Sequence, residues 1–256
     1  MVFLLILLFI LGSALGSFLN VLIDRSVKRE SFIRGRSYCD FCHASLGALD
    51  LVPIASFVAL GARCRYCHKK LSWQYPIVES LSGLLFALTL YHLASSGVIN
   101  PGTLILYLFL ICVFIVVSVI DFKFSLIPTS FVFLASLVVL FYNFFSMGSG
   151  AFVVSVVSAF GLAGFFILLI LLTRGRGMGT GDVPLVFLIA LILSWPLSLL
   201  SIFLSFFLGA VVSLLLLAVG KKRIGQTIPF GPFLATGAVI SMFWGQTILV
   251  WYLGMV

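Results

Sequence analysis

Charge is the scarcest commodity in this sequence: 9% of its 256 residues are Asp, Glu, Lys or Arg, against roughly a quarter in a soluble domain. Acid is rarer still, with seven carboxylates in all and only two beyond residue 79. Hydrophobic residues make up 62%, Phe alone contributes 27, and mean hydropathy is +1.31. Such a composition excludes a water-soluble enzyme, a disordered chain and a secreted disulfide scaffold. It specifies an all-α polytopic membrane protein. The net charge of +8 would raise the question of nucleic acid in a soluble protein. Here Lys and Arg gathering in cytoplasmic loops beside anionic lipid account for it, so no nucleic-acid partner is expected.

A helix crossing a bilayer needs about 20 mostly apolar residues. Eight spans follow, at approximately 1–23, 77–96, 103–120, 126–143, 151–173, 183–194, 197–219 and 233–254. The sixth is short and is separated from the seventh only by Trp195-Pro196. The charged residues fall in four places: 24–79, Asp121 with Lys123, the stretch from Arg174 to Asp182, and Lys221 to Arg223. Eight spans put all four on one side, and the opposite loops near 97–102, 144–150 and 195–196 carry no charge. By the positive-inside rule the charged side is the cytoplasm. Seven spans would set Lys221–Arg223 across the membrane from Arg174. The first span lacks a basic segment before its apolar core and has one after it, at Arg25 to Arg36, so a retained helix is expected rather than a signal peptide. The organisation is then a first transmembrane helix at 1–23, a cytoplasmic module at 24–76 and a seven-helix membrane core at 77–256.

The module contains Cys39-Asp40-Phe41-Cys42 and Cys64-Arg65-Tyr66-Cys67, with 21 residues between the pairs. One CxxC turn brings two thiolates to an ion, and two turns complete a tetrahedral zinc site. Some 50 residues can hardly fold on their own core, so metal binding could supply much of the folding free energy. Disulfides or a redox pair are disfavoured by a cytoplasmic position, where thiols stay reduced. His43 and His68 follow the two pairs directly but are redundant beside four cysteines. Arg63 and Arg65 are placed to offset thiolate charge, and Cys112, alone in the third span, is a small buried apolar residue.

Asp121 closes the third span and Asp182 opens the sixth. Each alone has an ordinary explanation: pairing with Lys123 for one, capping a helix N-terminus for the other. Two acids at the same depth with no others nearby are harder to explain so, because ionisable groups beside hydrocarbon are costly. If they meet, they form an aspartyl dyad sharing one proton, able to activate water and protonate an oxyanion without metal or covalent nucleophile. Upstream lies Gly177-Met178-Gly179-Thr180-Gly181, whose alternate glycines leave backbone open to an extended substrate strand. No Lys-Ser/Thr follows, so a phosphate loop is excluded.

These features resemble the type IV prepilin peptidases, membrane aspartyl proteases of the GxGD type. The resemblance runs through Gly16-Ser17-Phe18-Leu19-Asn20-Val21, both CxxC pairs, Asp50-Leu51-Val52-Pro53, Tyr75-Pro76-Ile77-Val78-Glu79, Ile120-Asp121, Ile127-Pro128, the glycine run with Asp182, and Ile228-Pro229-Phe230-Gly231-Pro232-Phe233. It implies cleavage of prepilin or pseudopilin leaders at the cytoplasmic face of a bacterial inner membrane. Asp121 and Asp182 match the catalytic pair, and Cys39, Cys42, Cys64 and Cys67 match the zinc ligands. Many members also methylate the new N-terminus with S-adenosylmethionine, which implies a second activity for which no separate sequence signature is evident. Thr129 stands where an acid or Asn often follows Ile-Pro, and Val183-Pro184 where a Lys commonly follows the second Asp. The competing expectations are a proton-coupled transporter using the Asp pair, which prefers acids near the membrane midplane, and a thiol oxidoreductase using the CxxC pairs.

Overall fold

The computed structural model describes residues 1–28, 37–97, 100–175, 178–220 and 228–254. Arg29, Glu30, Arg34, Arg36, Arg176, Gly177 and Lys221 to Arg223 lie outside them. Nine α-helices follow one another among the described residues: α1 (Val2–Lys28), α2 (Ala55–Ala59), α3 (Gln74–Ser95), α4 (Pro101–Phe124), α5 (Thr129–Ser146), α6 (Ser149–Leu172), α7 (Asp182–Leu193), α8 (Leu197–Ala218) and α9 (Gly231–Leu253). A 3₁₀ turn at Ala48–Leu51 precedes α2.

Every apolar run becomes a helix, because in hydrocarbon only a helix satisfies each backbone N–H and C=O within its own segment. Seven of the helices have the length and composition to cross a membrane. Of the eight expected spans the exception is α7: at 12 residues it is about 18 Å long, well short of the roughly 30 Å hydrocarbon layer. It is nonetheless a separate helix from α8, and Pro184 falls in its first turn, where no backbone donor is required.

The chain forms two compact units, Met1–Val116 and Val117–Val256. In the first, α1 packs on α3 through small residues. A Cβ on Gly12 would lie 2.7 Å from the Ser82 carbonyl and 2.9 Å from the Gly83 Cα, and one on Gly83 would lie 2.8 Å from the Phe9 carbonyl. Gly12-xxx-Gly16 is therefore the close-approach face expected where lipid supplies no hydrophobic drive between helices.

In the second unit α7 packs against α5, α6, α8 and α9. Apart from Asp182, its buried residues are all aliphatic, among them Leu185, Val186, Leu188, Ile189 and Leu191. The C-terminal turn of any helix leaves carbonyls without intrahelical donors, and the neighbours of α7 supply them. Asn143 of α5 donates its amide to the Leu191 carbonyl at 2.8 Å, and the Ser155 hydroxyl of α6 donates to the same carbonyl at 2.6 Å. Asn143→Leu removes one donor from a buried site and is expected to destabilise this unit by about 1–3 kcal/mol. Thermal unfolding in detergent measures it; an unchanged midpoint shows that the bond contributes nothing.

Candidate functional site

The two acids singled out in the sequence lie in the second unit, and both are buried: Asp121 is 5% exposed and Asp182 6%. Asp121 sits in the last turn of α4, which runs to Phe124, about one turn past the end that hydropathy gives the span. Its Oδ2 accepts the backbone N–H of Gly231 at 2.8 Å. Gly231 opens α9, so the carboxylate faces the positive end of that helix. The position has room for glycine only, since a Cβ there would lie 2.7 Å from Asp121 Oδ2 and 3.2 Å from its Cβ and Cγ. The preceding Phe230 is braced by rings, with centroids 5.0 Å from Phe206 and 6.4 Å from Phe233.

Asp182 is the first residue of α7, and the N-cap position before it is Gly181, which has no side chain to cap with. The Asp182 carboxylate lies beside the Gly179 backbone, where a Cβ would come within 3.6 Å of Oδ2, and its own N–H donates to the Gly179 carbonyl at 3.2 Å. The acid is thus tied back into the glycine loop that precedes it, and it lies within electrostatic reach of Asp121. Gly181 rests on Ile127, where a Cβ would approach the Ile127 Cβ to 3.1 Å. Ile127-Pro128 therefore packs against the loop that carries Asp182. Helices α5 and α6 flank α7; α4 contributes the other acid from its end. Gly231 is the participant that side-chain chemistry does not reveal, because it acts through a backbone donor.

The four cysteines converge in the first unit. The Sγ atoms of Cys39, Cys42, Cys64 and Cys67 all lie within 4.8 Å of one another, and Cys39 and Cys67 are 3.9 Å apart. Four thiolates bound tetrahedrally at a Zn–S distance of about 2.3 Å stand about 3.8 Å apart, so the donor set fits a metal ion. The two knuckles repeat each other. The Cys39 N–H donates to the Ala44 carbonyl at 3.0 Å and the His43 N–H to Cys39 at 2.9 Å; the Cys64 N–H donates to Lys69 at 2.9 Å and the His68 N–H to Cys64 at 3.0 Å. His43 and His68 occupy equivalent left-handed positions, with φ of 54° and 56°, and stand outside the thiol cluster. The Cys67 N–H, opposed by burial and helped by the Tyr66 N–H and the neighbouring thiols, draws the Cys64 thiol down to about 7. Arg65 is committed to Asp50, Nε to Oδ1 at 2.6 Å, rather than to the thiols. The Gly47 N–H and then Arg65 hold the Asp50 carboxyl below the usual range.

Other sequence motifs meet in this unit as well. Asn20 donates to the Tyr75 carbonyl at 3.3 Å and accepts from Gln74 at 3.1 Å. Glu79, 7% exposed, accepts the Ile54 N–H at 2.7 Å. Ile54 adopts φ of 61°, a strained conformation for a β-branched residue, held in part by that carboxylate.

Comparison with known proteins accords with this layout. A family model described as the bacterial Peptidase A24 N-terminal domain matches residues 10–93, and one described as the type IV leader peptidase family matches residues 108–214. Proteins named prepilin leader peptidase/N-methyltransferase are similar over nearly the full length. That of Stutzerimonas stutzeri is 30% identical over 95% of this chain and 92% of its own. That of Bacillus subtilis is 30% identical over 97% of each, and that of Aeromonas hydrophila 31% identical over 96% and 93%. No solved structure matches the chain. Nothing among these likenesses supports a transporter. The chain belongs to the type IV leader peptidase family.

Proposed function

We propose that this protein is a membrane-embedded aspartyl endopeptidase that removes the leader from prepilins or pseudopilins at the cytoplasmic face of the inner membrane and methylates the N-terminus so exposed. The single observation that carries the peptidase assignment is the pairing of two buried carboxylates, one fixed by the Gly231 N–H and the other seated on the glycine loop, in a chain with so few acids. Asp121 and Asp182 are the catalytic pair. Two carboxylates in mutual electrostatic reach share one proton. The ionised member takes a proton from water as the oxygen attacks the scissile carbonyl; the protonated member donates to the developing oxyanion. The hydrogen bond from Gly231 engages one oxygen of Asp121 and leaves the other for this work. The open glycine loop admits an extended strand, because no side chain obstructs its backbone.

The ion held by Cys39, Cys42, Cys64 and Cys67 is zinc in this proposal, and its role is structural: closed four-thiolate sites hold no open position for substrate. The module between α1 and α3 has scarcely any hydrophobic core besides Phe57, so the metal carries its folding. Elemental analysis of the purified protein is expected to give about one zinc per chain. Chelation at neutral pH should melt the module, followed by hydrogen exchange at residues 37–72. Full exchange protection after zinc removal overturns the assignment.

N-methylation requires a donor that supplies an electrophilic methyl group, and S-adenosylmethionine is the proposed one. The decisive assay incubates the purified protein in detergent with a prepilin-type substrate, with and without that donor, and weighs the products. Expected are a product lacking the leader in both cases and one heavier by a methyl group when the donor is present. Intact substrate under both conditions rejects the peptidase.

A further inference from the structure

Between α6 and the start of α8 the second unit carries a hollow of about 450 Å³, lined on one side by α6 from Val153 to Leu162 and on the other by Trp195 and Ser198. No charged residue lines it. Its place relative to the acids follows from the register of the helices. Helices α6 and α7 run antiparallel, with Ser155 against Leu191 and the Phe160 ring 5.2 Å from that of Phe187. Continued to the start of α7, this register sets Asp182 level with Phe165 of α6. The hollow therefore begins about 5 Å below Asp182 and descends about 14 Å further along α6.

Both walls also rise past the acids. Helix α6 continues to Leu172, about 10 Å beyond the level of Asp182, with Leu168, Leu171 and Leu172 exposed before Arg174. Helix α8 brings Phe206 to 6.1 Å from Phe166 and 5.0 Å from Phe230, which precedes the glycine that holds Asp121. It then continues to Ala218 with Leu214 and Leu215 exposed. Exposed leucines at the ends of membrane helices face lipid, so the two acids lie below those ends, inside the apolar layer. A peptide bond that reaches them descends between α6 and α8.

Two observations mark the groove as a seat for another helix. A Cβ on Gly12, Gly16, Gly83, Gly237 or Gly245 would collide with an atom of the adjoining helix, so these glycines serve close helix packing. At Gly161, and at Gly164 nearer the acids, a Cβ would meet nothing within 4 Å. Helix α6 bares its backbone there as if for a neighbour. Independently, Ser198 lines the hollow, is wholly buried, and its Oγ has no hydrogen-bond partner among the described residues. An acyl chain offers that hydroxyl nothing, whereas a helix carries side chains that can bond to it.

We propose that the groove between α6 and the start of α8 receives the membrane helix of the substrate, its first residues at Asp121 and Asp182 and its apolar body against Gly161, Gly164 and the hollow down to Trp195. The inference rests on the peptidase reading above and adds where the substrate lies. A polar leader does not belong in an uncharged apolar groove. A segment at this depth satisfies its backbone internally and is helical. Because the groove opens at the two acids, the helix that fills it is the one joined to the scissile bond.

The test places photoreactive benzoylphenylalanine at Val157, inside the groove, or at Phe141 on the exposed face of α5, in the full-length protein in lipid nanodiscs with a prepilin-type substrate. Irradiation is expected to join Val157 to the substrate segment that follows the cleaved bond, and Phe141 to lipid alone. Equal capture at both positions, or capture of lipid or a second copy alone at Val157, overturns the groove if the wild type cleaves the substrate under the same conditions. A second measurement fills the hollow. Gly161→Leu meets no neighbouring atom and raises helix propensity, so the variant folds. It is expected to raise KM about tenfold with kcat near its wild-type value, the signature of lost substrate binding. An unchanged KM in the folded variant overturns the proposal while leaving the peptidase reading intact. Absence of cleavage by the wild type rejects both.

Discussion

Asp121→Asn and Asp182→Asn are each expected to lower leader cleavage by about a thousandfold or more, with the variant proteins still inserted and folded. The exchange of one carboxylate oxygen for an amide barely alters volume. Asn at 121 keeps an oxygen for the Gly231 N–H, which is 2.8 Å from Asp121 Oδ2, so the anchoring of α4 to α9 survives. What disappears is the ability of two groups to exchange roles over one proton. Neither remaining residue can both activate water and protonate the oxyanion. The double variant should be little worse than either single one, because the two residues act as one device and their losses do not add. Single-turnover cleavage followed by mass spectrometry measures the rate directly, with thermal unfolding as the control for folding. A variant retaining a tenth of wild-type cleavage is incompatible with a catalytic pair.

The difference between what the sequence discloses and what it conceals has a physical basis. The long helices are legible because a lipid-facing run must be apolar for some 20 residues, and the length of that run is written in composition. Their ends are less so. Hydropathy stops α1 at residue 23, yet the helix continues through Asp24, Arg25 and Lys28, and α4 continues past residue 120 to take Asp121 within it. Backbone hydrogen bonding is indifferent to where the hydrocarbon ends. The two acids stand out because nothing else in the second unit shares their chemistry, and the cysteines because their spacing is that of a metal knuckle. Gly231 and Ile54 stay hidden for a common reason. Each meets a carboxylate through a backbone N–H, 110 residues away in one case and 25 in the other. Every residue but proline has that donor, so no residue type marks its use. Asp182 shows the opposite hazard: an acid at a helix start looks like a cap, yet the N-cap position is Gly181 and the Asp182 N–H runs back to the Gly179 carbonyl.

Gly231→Ala should reduce turnover by about a hundredfold while leaving the KM for substrate near its wild-type value. The backbone at this position is not left-handed, so alanine is conformationally acceptable and α9 would form as before. The cost arises from space. A methyl group 2.7 Å from Asp121 Oδ2 cannot coexist with the present geometry, and either the carboxylate turns away or the start of α9 withdraws. Either movement breaks the hydrogen bond that fixes the Asp121 carboxylate, and catalytic groups displaced by about 1 Å lose roughly this much rate. Gly209→Ala supplies the comparison. Its Cβ would touch the rings of Phe230 and Phe233 at 3.6 Å, an ordinary contact, and wild-type turnover is expected. If Gly231→Ala lowers yield and melting temperature but leaves turnover per folded molecule unchanged, then the glycine serves helix packing alone and the Asp121 carboxylate finds its working orientation without that N–H.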